Sequence, residues 1–356
     1  MPAAPGPRSA RRFPSDLTDA QWHLLAPLLP APRSGPGRPG RPATSRRALT
    51  NAILYVLWTG CPWRALPDRY PHWRTVHHHF ARWAADGTLT RLHAVLRSRV
   101  RAAAGRTVAP TAAVIDSQSV RASDWVSRAT KGYDAAKKVH GRKRHVAVDT
   151  GGLLLEVLVT PASTQDRDGG RRLLWRLRRH YPTIRLVWAD GGYAGKLVTW
   201  AQRVLALAVQ IVRKRQGVHR FEVLPRRWVV ERTFSWLGKC RRLAVDYERK
   251  PEHHQAWVQW AMVRVMVKRL ARQAPHCPPE RSAWPHDCIR TGSKERSTKQ
   301  SAACAAGHVG RSPSAGIRPH ELLPAWLAVN LTVSRPLRDR TGQEGVWCYL
   351  MSSTIT

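Results

Sequence analysis

The sequence predicts a mixed α/β core behind a helical N-terminal segment, and three observations predict it. Up to about residue 95, apolar residues recur at helical spacing. From residue 111 the period shortens. TAAVIDSQSV, RKRHVAVDT and GLLLEVLVTPAS are short β-rich runs separated by turn residues, and helix then alternates with strand, the pattern of a mixed sheet. Past residue 274, scattered prolines and a Ser/Ala/Gly-rich stretch replace both periods. These changes divide the 356 residues into a loose start (1–14), a helical domain (15–95), an α/β domain (108–273) and a tail (274–356).

The helical segment opens with Thr18 and Gln21 in a capping-box pattern, followed by Trp22, Leu24, Leu25, Leu28 and Leu29, and Pro30 ends the run. Residues 31–47 form a Gly/Pro/Arg linker, cationic and suited to lie along a phosphate backbone. A second helix over Arg46–Thr59 carries Leu49, Ile53, Val56 and Leu57 on one stripe and stops at Gly60. A third, from Trp73 to Ala85, bears Arg74, His77, His78 and Arg82. The arrangement is helix-turn-helix-like, which makes Arg74 and Arg82 DNA-contact candidates; a small helical bundle with no DNA role is the alternative. In the α/β domain the strands are followed by a helix near Asp168–His180, the strand IRLVWAD, a helix over Gly195–Leu207, the strand AVQIVRK and two closing helices.

The chain carries 60 Lys and Arg against 23 Asp and Glu, a formal net charge of +37. Residues 274–356 hold ten basic and six acidic residues, so residues 1–273 carry +33. Nucleic acid is the first partner that such charge suggests, since no basic amphipathic membrane anchor stands out. Arginine accumulated through a GC-rich genome is the competing explanation. No apolar run approaches the roughly 18 residues of a membrane span, and the N-terminus has no apolar signal region. The six cysteines form no Cys-x-x-Cys, which suggests a reducing cytoplasm.

With so few acids in the basic body, each is a candidate for chemistry. Asp116 ends the apolar strand AAVI and Asp190 ends IRLVW, the strand position where α/β proteins place ligand-binding groups. Glu231 borders the apolar stripe Val230, Phe234 and Leu237, and is either paired with Arg227 one turn earlier or held for a metal. Three converging carboxylates would suit Mg²⁺, whereas each acid alone would serve as a cap or an ion-pair partner. Lys137, Lys138, Arg142, Lys143 and Arg144 flank the second strand and are phosphate-contact candidates, with a solvated charged turn as the alternative. Asp149 reads as a turn former before Gly151 and Gly152, and Asp166 and Asp168 as N-terminal helix caps. Three adjacent histidines at 77–79 cannot share one helix face, so no zinc site is expected there. No phosphate-binding P-loop pattern is present, so ATP dependence is not supported.

IDSQSV (115–120), GYDAAKKVHGRKRHVAVDT (132–150), PASTQDRDG (161–169), WADGGYAGK (188–196) and PRRWVVERTFSWLGKCRRLAVDYE (225–248) resemble the DDE transposases of bacterial insertion sequences. The resemblance is to the family-five group of the insertion-sequence-four clan, and SDLTDAQWHLLAPLLP and ALTNAILYVLWTGCPWRALP are similar to its N-terminal domain. It runs over about residues 13–272 and implies an RNase H-like fold with Asp116, Asp190 and Glu231 as the catalytic, metal-holding triad. It also implies two Mg²⁺ ions, with Mn²⁺ able to substitute, and double-stranded DNA as partner, both the element's terminal inverted repeats and the target. A homodimer at the synapsed ends and a cytoplasmic, nucleoid-associated location follow from the same likeness, with no membrane role. The clan's Tyr-Arg-Glu-Lys signature is met at Arg227 and Glu231. It departs at Leu224 and Gly238, with Lys239 one place late as a DNA-contact candidate.

The tail, with four of the six cysteines and a charge of only +4, reads as translation beyond the ancestral frame, with an accessory dimerisation domain as the alternative. A chain ending at Gln273 is expected to keep DNA binding and cleavage. Loss of solubility or binding in that truncation would make the tail part of the working protein.

Overall fold

The computed structural model describes residues 13–32, 43–213 and 226–273. Most of the linker, the first twelve residues, Leu224 and the tail lie outside the described residues.

Helix α1 (Asp19–Leu25) starts on the expected capping box: Gln21 N donates to Thr18 Oγ1 and Thr18 N donates to Gln21 Oε1, each at 3.2 Å. It gives way to a 3₁₀ turn at Ala26–Leu28, because Pro27 has no backbone N–H with which to continue the α pattern. Helix α2 (Arg46–Thr59) ends on Gly60 at φ 75°, a left-handed cap that glycine adopts without Cβ strain. Helix α3 spans Trp73–Ala85. The α2–α3 connection covers residues 60–72 and contains a 3₁₀ turn at Trp63–Ala65, longer than the three- to four-residue turn of a DNA-reading helix pair. Helix α4 (Thr88–Ala103) has no counterpart among the sequence expectations. Its stripe Leu89, Leu92, Leu96 and Val100 is buried, and Asp86 Oδ1 accepts the Thr88 N–H at 2.9 Å to start it.

The sheet is built on β1 (Ala112–Arg121). It pairs antiparallel with β3 (Val139–Asp149), which also pairs antiparallel with β2 (Gly132–Asp134) and β4 (Leu154–Pro161). On its other side β1 runs parallel to β5 (Leu186–Ala189), and β5 parallel to β6 (Ala208–Ile211). Four antiparallel strands joined to two parallel crossover strands form the mixed sheet of an RNase H-like domain. Helices α5 (Asp166–His180) and α6 (Lys196–Leu205) cover one face through Leu173, Leu174, Leu177, Leu197 and Ala201.

The other face carries the closing helix α8 (Pro251–Gln273), with Trp257, Trp260, Met262 and Met266 fully buried. Phe80 of α3 stacks on Trp257 at 4.3 Å between centroids. Leu25, Ile53, Phe80 and Leu92 belong to the same apolar cluster as Val114, Val146 and Trp260. The helical segment 15–95 therefore shares one core with the sheet and does not have the core of its own that an autonomous domain requires.

Close packing at α5 fixes one glycine. A Cβ on Gly169 would lie 2.1 Å from the His145 ring, so Gly169→Ala is expected to cost about 1–3 kcal/mol by overpacking, read from chemical denaturation. Two buried histidines set the acid limb of stability. Burial lowers His145 to about 4 and His93 to about 3. The unfolded chain binds these protons near the ordinary value of 6.5 and the folded chain does not. Stability is therefore expected to fall progressively as pH drops from 6.5 towards 3. A denaturation midpoint flat across that range would contradict the burial of both rings.

Candidate active site

The parallel pairing of β1 with β5 sets the first two acids side by side. Val114 is opposite Trp188, and two residues further on stand Asp116, still within β1, and Asp190, just past the end of β5; strand alternation puts both on the face of that pair. Asp116 Oδ1 accepts the Ser117 N–H at 2.7 Å. Asp190 Oδ1 accepts the Gly192 N–H at 3.0 Å and so caps the 3₁₀ turn Gly191–Tyr193. Burial raises the Asp116 carboxyl to about 7. The Ser117 N–H and Arg227 oppose the rise, and the charges of Asp190 and Asp166 add to it.

Helix α7 (Trp228–Gly238) brings the third acid. Thr233 Oγ1 donates to Gly152 O at 2.8 Å and Arg232 to Gly151 O at 3.0 Å, pinning α7 to the β3–β4 turn. Glu231, which borders the apolar stripe of this helix, is 54% exposed in its side chain, because the helix turns Val230 and Thr233 inward. Arg227 stands between the acids, 3.9 Å from Asp190 Oδ2 and 3.8 Å from Glu231 Oε1. Both sequence alternatives for Glu231 thus bear on one place: it is paired with Arg227, and that pair abuts Asp190. Among the described residues no three His, Cys, Asp or Glu side chains form a ready-made metal cage.

A cavity of about 490 Å³ opens beside Asp116, lined also by Ser119, Asp134, Lys137, Lys143 and Asp166. Sequence assigns Asp166 to a helix cap. The N-cap of α5 is instead Gln165, without a side-chain cap bond; Asp166 and Asp168 lie in the first turn, and Asp166 Oδ1 accepts from Ser117 Oγ at 2.7 Å and from Lys143 Nζ at 3.1 Å. A cap accounts for this residue completely at the level of sequence, so nothing there points to the site.

Comparison with known proteins matches the same blocks. The family described as "Transposase DDE domain" matches residues 109–266, and that described as "Putative transposase of IS4/5 family" matches residues 17–93. The uncharacterized 16.2 kDa protein of insertion element IS402 from Burkholderia cepacia is 37% identical over 113 residues, 30% of this chain and 73% of that protein. The chain belongs to the IS4/5 family of insertion-sequence transposases. A putative transposase for insertion sequence element IS402 from the same organism is 32% identical over 139 residues, 37% of this chain and 65% of that protein. A protein of Sinorhizobium fredii, y4sN, is 32% identical over 80 residues, 22% of this chain and 62% of its own length. No solved structure matches the chain.

In this transposase the basic candidates divide into two groups. Lys137 and Lys138 are exposed at the β2–β3 turn, Lys239 at the end of α7 and Arg74 on α3. Arg82 is half-buried and bonded to His79 Nδ1 at 3.2 Å. Arg142, Lys143 and Arg144 are buried, which corrects their reading as phosphate contacts. Arg142 Nη1 donates to Asp246 Oδ2 at 3.0 Å and Glu248 O at 2.7 Å. Arg144 bonds Gln118 and Leu243 O, and Lys143 joins Asp134 to Asp166. Their charges hold β3 to the 243–249 loop and to the acids.

Asp149 is buried and accepts from Gly151 N and Leu153 N at 2.8 Å, as a turn former should. The exposed cations Arg167, Arg171, Arg172 and Arg179 on α5 escape a sequence reading that treats this helix only as a scaffold; Arg171 stacks over Trp200 and Arg179 over Trp175. Among the described residues no helix is long and apolar enough to cross a membrane.

Proposed function

We propose that this transposase binds its element's ends as double-stranded DNA and catalyses metal-dependent strand cleavage and strand transfer at Asp116, Asp190 and Glu231. The observation that supports the reading is the placement of Asp116 in β1 beside Asp190 at the end of the parallel strand β5, where burial, with the charges of Asp190 and Asp166 adding to it, raises the Asp116 carboxyl. Such hard carboxylate oxygen donors fit a Mg²⁺ site, or Mn²⁺ in its place. Two such ions would supply activation of the attacking water or 3′-hydroxyl and stabilisation of the leaving oxygen.

The chain's own groups do the rest. Asp116 and Asp190 are each held by a backbone N–H through Oδ1; Oδ2 of Asp116 is left for a ligand, and Oδ2 of Asp190 would exchange Arg227, 3.9 Å away, for one. Glu231 joins them by leaving Arg227, and the freed guanidinium is then placed to take a phosphate oxygen beside the scissile bond. Lys137, Lys138, Lys239, Arg74 and Arg82, together with the α5 arginines, supply phosphate contacts that fix the duplex without reading its sequence. A homodimer holding two ends, in a cytoplasmic, nucleoid-associated setting, belongs to the same reading.

The experiment uses the full chain with duplexes carrying the inverted repeats that bracket its gene. Cleavage that exposes a 3′-hydroxyl, joining of that end to target DNA, and loss of both in a chelator are expected. Cleavage without joining would instead indicate a nuclease, and binding alone a catalytically inactive relic.

A further inference from the structure

Asp166 does not cap α5; its carboxylate is fixed to β1 instead. Its Oδ1 is bonded to Ser117, the neighbour of Asp116, and to Lys143, which is itself held by Asp134 at 3.3 Å and Thr164 O at 3.0 Å. Its Oδ2 lies 3.5 Å from the point a Gly192 Cβ would occupy, and Asp190 Oδ1 lies 3.1 Å from that same point. Because Gly192 has no side chain, the two carboxylates face each other across open space.

A second observation is independent of the acids. Tyr193 is fully buried, yet its hydroxyl makes no well-formed hydrogen bond among the described residues, with only a weak interaction with the Ser117 hydroxyl. It lies beside Ser117, within the fields of Asp116, Asp166 and Asp190. Buried hydroxyls are nearly always paired, and one so weakly paired beside carboxylates marks the place of an ordered water or an ion's hydration shell.

We propose that Asp166 is a fourth carboxylate of the site, holding a divalent cation together with Asp116 and Asp190, with the Tyr193 hydroxyl bonded to water in that cation's shell. The proposal rests on the metal-dependent reading above and extends it to a residue outside the triad. Lys143 serves as the internal counter-charge that lets Asp166 stand near two other acids. Glu231, exposed and tied to Arg227, is then the acid that arrives last.

The test is Mn²⁺ binding to the full chain without DNA, read from the electron paramagnetic resonance signal of the free ion. Asp166→Asn keeps an oxygen for Ser117 and is expected to weaken Mn²⁺ binding by about tenfold or more, while Asp168→Asn, exposed in the same turn, leaves it unchanged. Equal binding by the wild type and Asp166→Asn would overturn the Asp166 assignment alone, whereas a wild type that binds no Mn²⁺ would take the metal-dependent reading down with it. A readout without substitution guards against misfolding. Fe²⁺ bound to the wild type, with ascorbate and peroxide, should cut the chain near residues 116, 166 and 190. Cuts near 116 and 190 with none near 166 would overturn the proposal.

Discussion

Asn in place of Asp116 or Asp190 is expected to slow strand cleavage by at least about 10³-fold, since several kcal/mol of charge stabilisation would be lost and each ~1.36 kcal/mol is a factor of ten. Affinity for element ends should change by less than about threefold, because on this proposal phosphate contacts would come from basic side chains and not from these acids. Glu231→Gln should lose cleavage as well, although it also frees Arg227 from one of its two partners. Single-turnover cleavage and equilibrium binding on the same duplex separate the two effects. Wild-type cleavage by any of the three variants would remove that residue from the chemistry.

The second large effect concerns stability. Arg142→Met would leave Asp246 buried without one of its partners, and breaking a buried pair in this way costs about 3–5 kcal/mol. Burial alone would raise the Asp246 carboxyl, and it is His254 foremost, at 3.2 Å, that holds it down at about 2. Lys137→Ala and Lys138→Ala, both outside this network, should alter stability by less than about 0.5 kcal/mol. Each should instead reduce the slope of log K against log salt by about 0.9 if it neutralises one phosphate. Denaturation curves and salt titrations decide between the roles. A stable Arg142→Met variant with a reduced salt slope would restore that residue to the DNA surface.

Local rules and long-range packing divide what the sequence discloses here. Asp190 is legible because it closes the apolar strand β5, whereas Asp116, expected to end its strand, lies mid-way along β1, which continues to Arg121 by pairing with β3. The capping box at Thr18 and the Gly60 stop are legible because helix ends are decided by residues a few positions apart. Arg142 is not, since its partners Asp246 and Glu248 lie over a hundred positions away and only the fold brings them to β3. Helix α4 is hidden by its arginines, two of which, Arg97 and Arg101, are themselves buried against Leu154 O and Asp149. Asp166 is hidden for the opposite reason, that a local rule explains it fully. The helical segment resembles a separate domain because its apolar stripes give no sign of the surface that covers them. That surface is α8, which begins only at Pro251.

Central to the proposed function, Asp116 and Asp190 would hold the cation needed for cleavage. The most direct measurement is metal rescue of Asp190→Cys, in which a softer sulfur ligand replaces a hard oxygen. Cleavage of an element-end duplex by this variant should be lost in Mg²⁺ and partly restored in Mn²⁺, while the wild type cuts in both. Wild-type cleavage by Asp190→Cys in Mg²⁺ would contradict a metal role for Asp190.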